Sequence, residues 1–161
     1  MNERIVALVH ESDRERAVAV AESEVFTPLR KRGTYDTIAT SGDQTARAET
    51  EAGSQLIQEA WEHTVNSYQE NFSRVREFLE ENQASAFWED GEVHPEYLGA
   101  FRGIAEFEGP NTYLFDQAGD GIRDHDHLEL ILGGYDPLVD ETTENPYQEL
   151  ELYVIPASVS Y

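Results

Sequence analysis

Several residue types are missing or scarce in this chain, and each shortage excludes a class of chemistry. The 161 residues include no cysteine, which rules out disulfide bonds, thiolate catalysis and cysteine-held zinc or iron–sulfur clusters. No apolar run approaches the ~20 residues of a membrane span, and the first residues lack a secretory leader pattern. We therefore expect no membrane span, and a protein that is cytoplasmic, or carried in a virion if a virus encodes it.

Lysine is also nearly absent, because Lys31 is the only one, and acidic residues dominate. There are 33 aspartates and glutamates against 11 lysines and arginines, and the formal net charge at pH 7 is −22. Unscreened like charges oppose a compact state, but at molar salt the Debye length falls to about 3 Å. This composition resembles that of proteins from salt-accumulating haloarchaea and their viruses. The resemblance implies a halophilic protein.

The same charge bears on the choice of partner. Binding a phosphate backbone requires a cationic surface, and such binding weakens steeply as the salt concentration rises. We therefore expect no direct contact with nucleic acid. The partners expected instead are other protein subunits, in a homo- or hetero-oligomer.

The first patterned segment is short and apolar. Residues 5–9 read Ile-Val-Ala-Leu-Val, which fits a buried strand, although residues 5, 8 and 9 also share one helical face. Residues 4–9 are therefore open to interpretation as strand or helix. Ser12 and Glu15 then have the spacing of a capping box, which predicts a helix from about residue 12 to Gly33.

One long helix is the clearest feature of the sequence. Apolar side chains recur every three or four residues, which predicts an amphipathic helix over about residues 45–82. This stripe consists of Ile57, Trp61, Val65, Tyr68, Phe72, Val75 and Leu79. It is wide enough to pack on the core or on a partner helix, and its mixture of aromatic and aliphatic side chains favours the core.

After residue 83 the apolar pattern changes from helical to alternating. Alternation predicts strands at residues 97–108, 112–115, 128–132 and 150–155, separated by segments rich in glycine and proline. Strands gathered after helices indicate an α+β fold rather than a doubly wound sheet. We expect a single domain over residues 1–161, in which a mainly helical part (1–82, with a possible first strand) packs on a mostly antiparallel sheet from a β-rich part (83–161).

One stretch carries side chains that commonly bind metal ions. Residues 124–129 read Asp-His-Asp-His-Leu-Glu, and in a strand His125, His127 and Glu129 would lie on one face. Two imidazoles and a carboxylate can share a divalent cation, with Asp116 or Asp120 as further candidate ligands. The alternative is a solvated polar strand face in an acidic protein, with no cofactor.

Three of the eleven basic residues are consecutive: Arg30, Lys31 and Arg32. At the end of the first helix, such cations stabilise the last carbonyl groups by about 0.3–1 kcal/mol, an effect that salt screens. The alternative is a docking site for an acidic partner. Both interpretations stay open.

The last ten residues carry no charge. An uncharged apolar strand is expected to pair with a neighbouring strand on each side, because exposed edge strands associate with other chains. The segment is therefore either internal to the sheet or completed by a partner, and Pro156 favours an edge position. In the second case the residues that contact the partner would be Leu152, Tyr153, Val154, Ile155, Val159 and Tyr161.

The sequence favours a non-enzymatic protein. It contains no nucleophile elbow, phosphate-binding loop or dinucleotide fingerprint, so no residue is expected to be catalytic. The leading hypothesis is a structural or assembly subunit of a halophilic complex, haloarchaeal or viral, that acts through protein–protein contacts. The alternatives are a metal-binding enzyme or sensor that uses the His125, His127 and Glu129 face, and a small regulatory domain that binds proteins through the long helix.

Overall fold

The computed structural model describes residues 3–81, 112–122, 124–133 and 150–160. The strands in these ranges are β1 (Glu3–Glu11), β2 (Thr37–Thr40), β3 (Ala46–Arg47), β4 (Leu114–Phe115) and β5 (Glu151–Ser160). The helices are α1 (Arg14–Val20), α2 (Thr27–Lys31), α3 (Glu51–Glu81) and α4 (His125–Leu132), and a π-helical turn (Ala21–Phe26) joins α1 to α2. The strand predicted at residues 97–108 lies outside the described residues.

The strands form one mixed sheet. Their order is β2-β5-β1-β4, and β3 pairs with β5 beyond the end of β2. β5 runs antiparallel to β1 and to β2, whereas β4 runs parallel to β1. The α+β class is therefore confirmed, with the correction that the sheet is mixed and that three of its described strands come from the first 82 residues.

β1 and β5 are the centre of the core. Residues 5–10 of β1 are all buried, and successive side chains of a strand point to opposite faces, so both faces of the sheet are covered. The helical segment from α1 through the π-helical turn packs on this sheet, and α3 also packs on it. Val6 lies beside Leu56 and Ala60 of α3. Of the two interpretations of residues 4–9, the strand is therefore the correct one.

Pro156 lies inside β5, which corrects the expectation of an edge position. Its carbonyl oxygen accepts a hydrogen bond from Ser41 N–H at 2.9 Å, whereas Val6, its neighbour in β1, donates to Tyr113 O on the other side at 2.8 Å. The N–H and C=O of one strand residue point the same way. The missing N–H of Pro156 therefore faces the gap between β2 and β3, and no hydrogen bond to β1 is lost.

The first helix begins one residue later than the capping box predicts. Asp13 Oδ1 accepts a hydrogen bond from Arg16 N–H at 2.9 Å and so caps α1, while the Ser12 hydroxyl donates to Glu11 Oε1 at 3.2 Å. The helical segment ends at Lys31. Gly33 follows with φ +80°, a conformation that glycine adopts without strain, and the chain turns there towards β2.

The start of α3 depends on a close approach of two backbone segments. Thr50 Oγ1 accepts a hydrogen bond from Gly53 N–H at 3.1 Å, and Thr50 N–H donates to Arg47 O at 3.0 Å. A Cβ atom on Gly53 would overlap that carbonyl oxygen and would lie 2.8 Å from the Arg47 carbonyl carbon. Only glycine fits at this position.

The second half of α3 buries a different line of residues from the predicted stripe. The buried residues of α3 are Gly53, Leu56, Ile57, Ala60, Thr64, Asn71 and Phe78. Phe72 and Leu79 are 54% and 59% exposed, because the buried line there runs through Asn71 and Phe78, one residue earlier. The prediction that the apolar stripe of α3 packs on the core along its whole length is therefore wrong. Within the described ranges, no helix combines the length and the apolar composition needed to cross a bilayer.

Candidate functional site

The stretch that resembles a metal site is helical rather than extended. Asp124 caps α4, since its Oδ1 accepts a hydrogen bond from His127 N–H at 2.7 Å. A helix has 3.6 residues per turn, so His127 leaves the face that His125 and Glu129 share. The predicted strand at residues 128–132 is therefore wrong, and so is the common strand face of His125, His127 and Glu129. The reason is the cap at Asp124, after which Leu128 and Ile131 are buried at helical spacing.

His125, Asp126 and Glu129 still lie close together on the first turns of α4. One donor atom of each lies within 4.8 Å of the others, and His125 Nδ1 is 3.5 Å from Glu129 Oε1. All three residues are exposed, and the N-terminal end of a helix favours anions over cations. These contacts describe a solvated acidic surface and do not by themselves define a metal site.

His127 contacts a buried carboxylate instead. Its Nε2 lies 3.4 Å from Asp116 Oδ2, and Asp116 is 2% exposed. Asp116 Oδ1 accepts hydrogen bonds from Ala118 N–H at 2.9 Å and Asp120 N–H at 3.0 Å. Burial raises the pKa of Asp116, against the lowering effect of the two N–H donors and of His127. Asp116 Oδ1 thus stabilises the turn after β4, whereas Asp116 Oδ2 and His127 Nε2 are in contact without a hydrogen bond within the described residues.

A second histidine is buried beside the same turn. His10 donates its backbone N–H to Gln117 Oε1 at 3.0 Å, and its Nε2 lies 3.1 Å from Ile131 O. Because a carbonyl oxygen only accepts, Nε2 carries the proton in that bond. His10 thus joins the end of β1 to the end of α4. No motif in the sequence indicated this role, since His10 simply follows an apolar run.

The uncharged C-terminal segment lies between neighbouring strands of its own chain. β5 pairs with β1 along one side and with β2 and β3 along the other. Of the two interpretations, the structure therefore shows that this segment is internal to the sheet. Of the predicted partner-binding residues here, Tyr153, Val154, Ile155 and Val159 are buried and Leu152 is partly buried. Tyr161 lies outside the described residues.

The basic residues at the end of α2 adjoin an open groove. Arg30, Lys31 and Arg32 are all exposed. The groove has a volume of about 220 Å³ and separates this helical segment from β2. It is lined by Glu22, Phe26, Thr27, Arg30, Ile38 and Thr40. Of the three predicted docking cations, the structure therefore places Arg30 in a concave surface, whereas Lys31 and Arg32 are not among the lining residues.

The groove exists because the chain reverses sharply after α2. Gly33 ends the helical segment at positive φ, and buried Tyr35 fixes the following loop. β2 then runs beside the helix with Ile38 and Thr40 half-buried. The other wall includes the π-helical turn, a conformation frequent at functional sites. Sequence periodicity could not reveal this groove, because four-residue β2 carries too short a pattern to predict.

The lining of the groove combines apolar, hydroxyl and charged side chains. Phe26 is buried and Ile38 is half-buried, so they expose little apolar surface and the groove is mainly polar. Thr27 and Thr40 contribute hydroxyl groups, and Arg30 contributes a guanidinium that can bind a carboxylate through two hydrogen bonds.

These features define a small α+β protein whose mixed sheet is covered by helices on both faces. The whole chain, residues 1–161, matches the model of a domain of unknown function, DUF7995, and the chain belongs to this family. No curated protein and no solved structure matches the chain.

Proposed function

We propose that this chain is a non-enzymatic assembly subunit of a halophilic complex, and that it binds a protein partner at the groove beside β2. The observation that carries the proposal is the position of Arg30, Lys31 and Arg32. Arg30 lines a concave surface, and Lys31 and Arg32 follow it in the chain as exposed residues, in a protein whose net charge is −22. The acidic composition and the single lysine support a haloarchaeal cell or virus as the source.

Contacts of this kind remain effective in concentrated salt. At a Debye length of about 3 Å, long-range attraction between charged surfaces is lost. A guanidinium–carboxylate pair with Arg30 still acts at contact distance, and so do hydrogen bonds to the hydroxyl groups of Thr27 and Thr40, which also line the groove. The groove supplies both kinds of short-range interaction.

The exposed face of α3 favours a second candidate function, a small regulatory domain that binds a helix of another protein. Phe72 and Leu79 are both more than half exposed, and they are seven residues apart, which places them on one side of the helix. Seven-residue apolar spacing is typical of helix–helix contacts. The two candidates differ in the surface used, so variants of each surface distinguish them.

The proposal is tested by the mass of the complex that contains this chain. An affinity-tagged chain is recovered from its natural host in molar KCl and measured by light scattering. We expect a mass well above the 18.2 kDa of one chain, and a return to that mass when Arg30, Lys31 and Arg32 are all replaced by glutamine.

The matched control replaces Arg74 and Arg76, two exposed cations on α3, by glutamine and should leave the complex intact. A wild-type chain that is monomeric under these conditions contradicts the proposal. A complex that survives the groove substitutions and is lost in the double variant Phe72→Ser, Leu79→Ser supports the second candidate instead.

A further inference from the structure

β2 is the outermost strand at its end of the described sheet. It pairs with β5 on its inner side, and no strand in the described residues occupies its outer side. The sequence of β2 is Thr-Ile-Ala-Thr, with no charged residue. Natural proteins usually protect sheet edges with short strands, charged side chains, proline or bulges; β2 is short, with four residues, and has no charge or proline of its own.

The hydrogen-bond register shows which backbone groups of β2 point outwards. Ser41 N–H donates to Pro156 O at 2.9 Å, so this pair is hydrogen-bonded, and hydrogen-bonded pairs alternate with non-bonded pairs along an antiparallel ladder. Two and four residues back from Ser41, Ala39 and Thr37 therefore also face β5. The N–H and C=O groups of Ile38 and Thr40 point away from β5, to the outer edge.

The side chains of the same two residues line the groove. Ile38 and Thr40 form one wall, and Phe26 and Arg30 belong to the facing helical segment. A peptide that lies along the outer edge of β2 would therefore contact the strand backbone and the groove together. Addition of a peptide strand to an exposed sheet edge is a common mode of recognition, in which the backbone provides affinity and pockets provide specificity.

The groove is less acidic than the protein as a whole, since its lining carries one cation and one acid. Arg30 lines the groove and is followed by Lys31 and Arg32, whereas Glu22 is the one acid among the lining residues. A carboxylate of a ligand in the groove would meet the Arg30 guanidinium at contact distance. A second copy of this chain is a poor occupant, because two-fold pairing of β2 with itself would bring the two cationic clusters together.

From these observations we infer that an extended acidic segment of a partner protein binds along the outer edge of β2 as an added strand. Its backbone exchanges hydrogen bonds with Ile38 and Thr40, and every second side chain faces the groove, where carboxylates bind Arg30. The inference rests on the proposed function for the existence of a protein partner, and it adds the chemistry and the geometry of binding.

The test uses two pools of blocked peptides of about eight residues, a length within the usual range of strands. One pool has glutamate at every second position and Val, Ile, Thr or Tyr elsewhere, and the other has lysine in place of glutamate. Binding is followed by amide NMR in molar KCl. We expect the acidic pool to shift the Ile38 and Thr40 amides and to slow their hydrogen exchange, with smaller changes at Thr37 and Ala39. The lysine pool should have no effect.

Substitution of Thr40 by proline removes an outward N–H together with the side-chain hydroxyl, so Thr40→Val, which lacks the hydroxyl and keeps the N–H, is its control. Relative to Thr40→Val, Thr40→Pro should weaken binding of the acidic pool by about tenfold, the expected result of losing one backbone hydrogen bond. Arg30→Gln should weaken it comparably, and Arg74→Gln on α3 should not. An acidic pool N-methylated at alternate positions tests the same hydrogen bonds without a protein variant, and it decides the question if Thr40→Pro does not fold.

Equal binding of the lysine pool, or shifts confined to residues other than Ile38 and Thr40, would overturn the inference. Failure of the inference is distinguishable from failure of the proposed function. A host complex that persists in the Thr40→Pro variant contradicts only the strand-addition geometry. A chain that is monomeric in its host and still binds the acidic pool at β2 contradicts only the assembly role.

Discussion

Replacement of Gly53 by alanine tests whether the junction between β3 and α3 is as tight as the structure shows. In an unconstrained helix, glycine to alanine stabilises by up to about 1 kcal/mol. Here the new Cβ would overlap Arg47 O and lie 2.8 Å from Arg47 C. Carbon–carbon contacts are optimal at about 3.5–4.0 Å, so one backbone segment must move by about 0.7 Å or more.

That displacement affects hydrogen bonds which converge on a single carbonyl. Arg47 O accepts from Thr50 N–H at 3.0 Å and from Thr50 Oγ1 at 2.6 Å. Each bond contributes about 1 kcal/mol net, and together they outweigh the gain in helix propensity. We expect Gly53→Ala to lower the free energy of unfolding by about 1–2 kcal/mol, which corresponds to about 2–8 °C in Tm for a chain of this size.

The assay is urea unfolding in molar KCl, followed by circular dichroism. Gly42→Ala is the matched control, because the Cβ added there meets only Val18 Cγ1, at 3.9 Å. That variant should remain within about 0.5 kcal/mol of the wild type. A Gly53→Ala variant as stable as the wild type, or more stable, would refute the argument.

Three further predictions concern stability. Leu56→Ala, in the core, should lower the free energy of unfolding by about 2–5 kcal/mol, whereas Leu79→Ala, on the exposed side of α3, should change it by at most about 0.5 kcal/mol; similar losses in the two variants would show that the α3 face is covered. The pKa of Asp116 is raised in the folded state, so protonated Asp116 stabilises the fold. This stabilisation is present below the unfolded-state pKa of about 4 and is lost as the pH rises through the folded-state pKa. Asp116→Asn should therefore become progressively more favourable relative to the wild type as the pH rises above about 4, and a constant difference between the two urea midpoints would contradict this. Lowering the KCl concentration from about 1 M to about 0.1 M increases the Debye length to about 10 Å, and the stronger repulsion should destabilise a chain with net charge −22. A free energy of unfolding independent of salt would argue against a halophilic protein.

The features that the sequence predicts well are long and locally determined. α3 was identifiable because its apolar period extends over many turns, and α1 because side chains near residue 12 can cap a helix. β1 was less certain from sequence alone, since a five-residue apolar run fits a strand or a helix. Pairing of β1 with β5 decides the matter, and sequence periodicity does not contain that long-range information.

The errors in the sequence interpretation also have local physical causes. Residues 124–129 alternate as a strand would, but the Asp124 cap starts a helix and separates His127 from His125. Pro156 suggested an edge strand, but its N–H would have faced a gap between β2 and β3. The groove at β2 depends on the turn at Gly33 and on a strand too short to have a readable period.

The central claim, that a protein partner occupies the groove at β2, is tested most directly by site-specific cross-linking in the natural host. A photoreactive phenylalanine analogue is placed at Ile38 or, for comparison, at Phe72, and mass spectrometry identifies the cross-linked peptide. We predict an adduct from position 38 to a segment of another protein rich in aspartate and glutamate, and none from position 72. An adduct only from position 72, or a segment without acidic residues at position 38, would contradict the account.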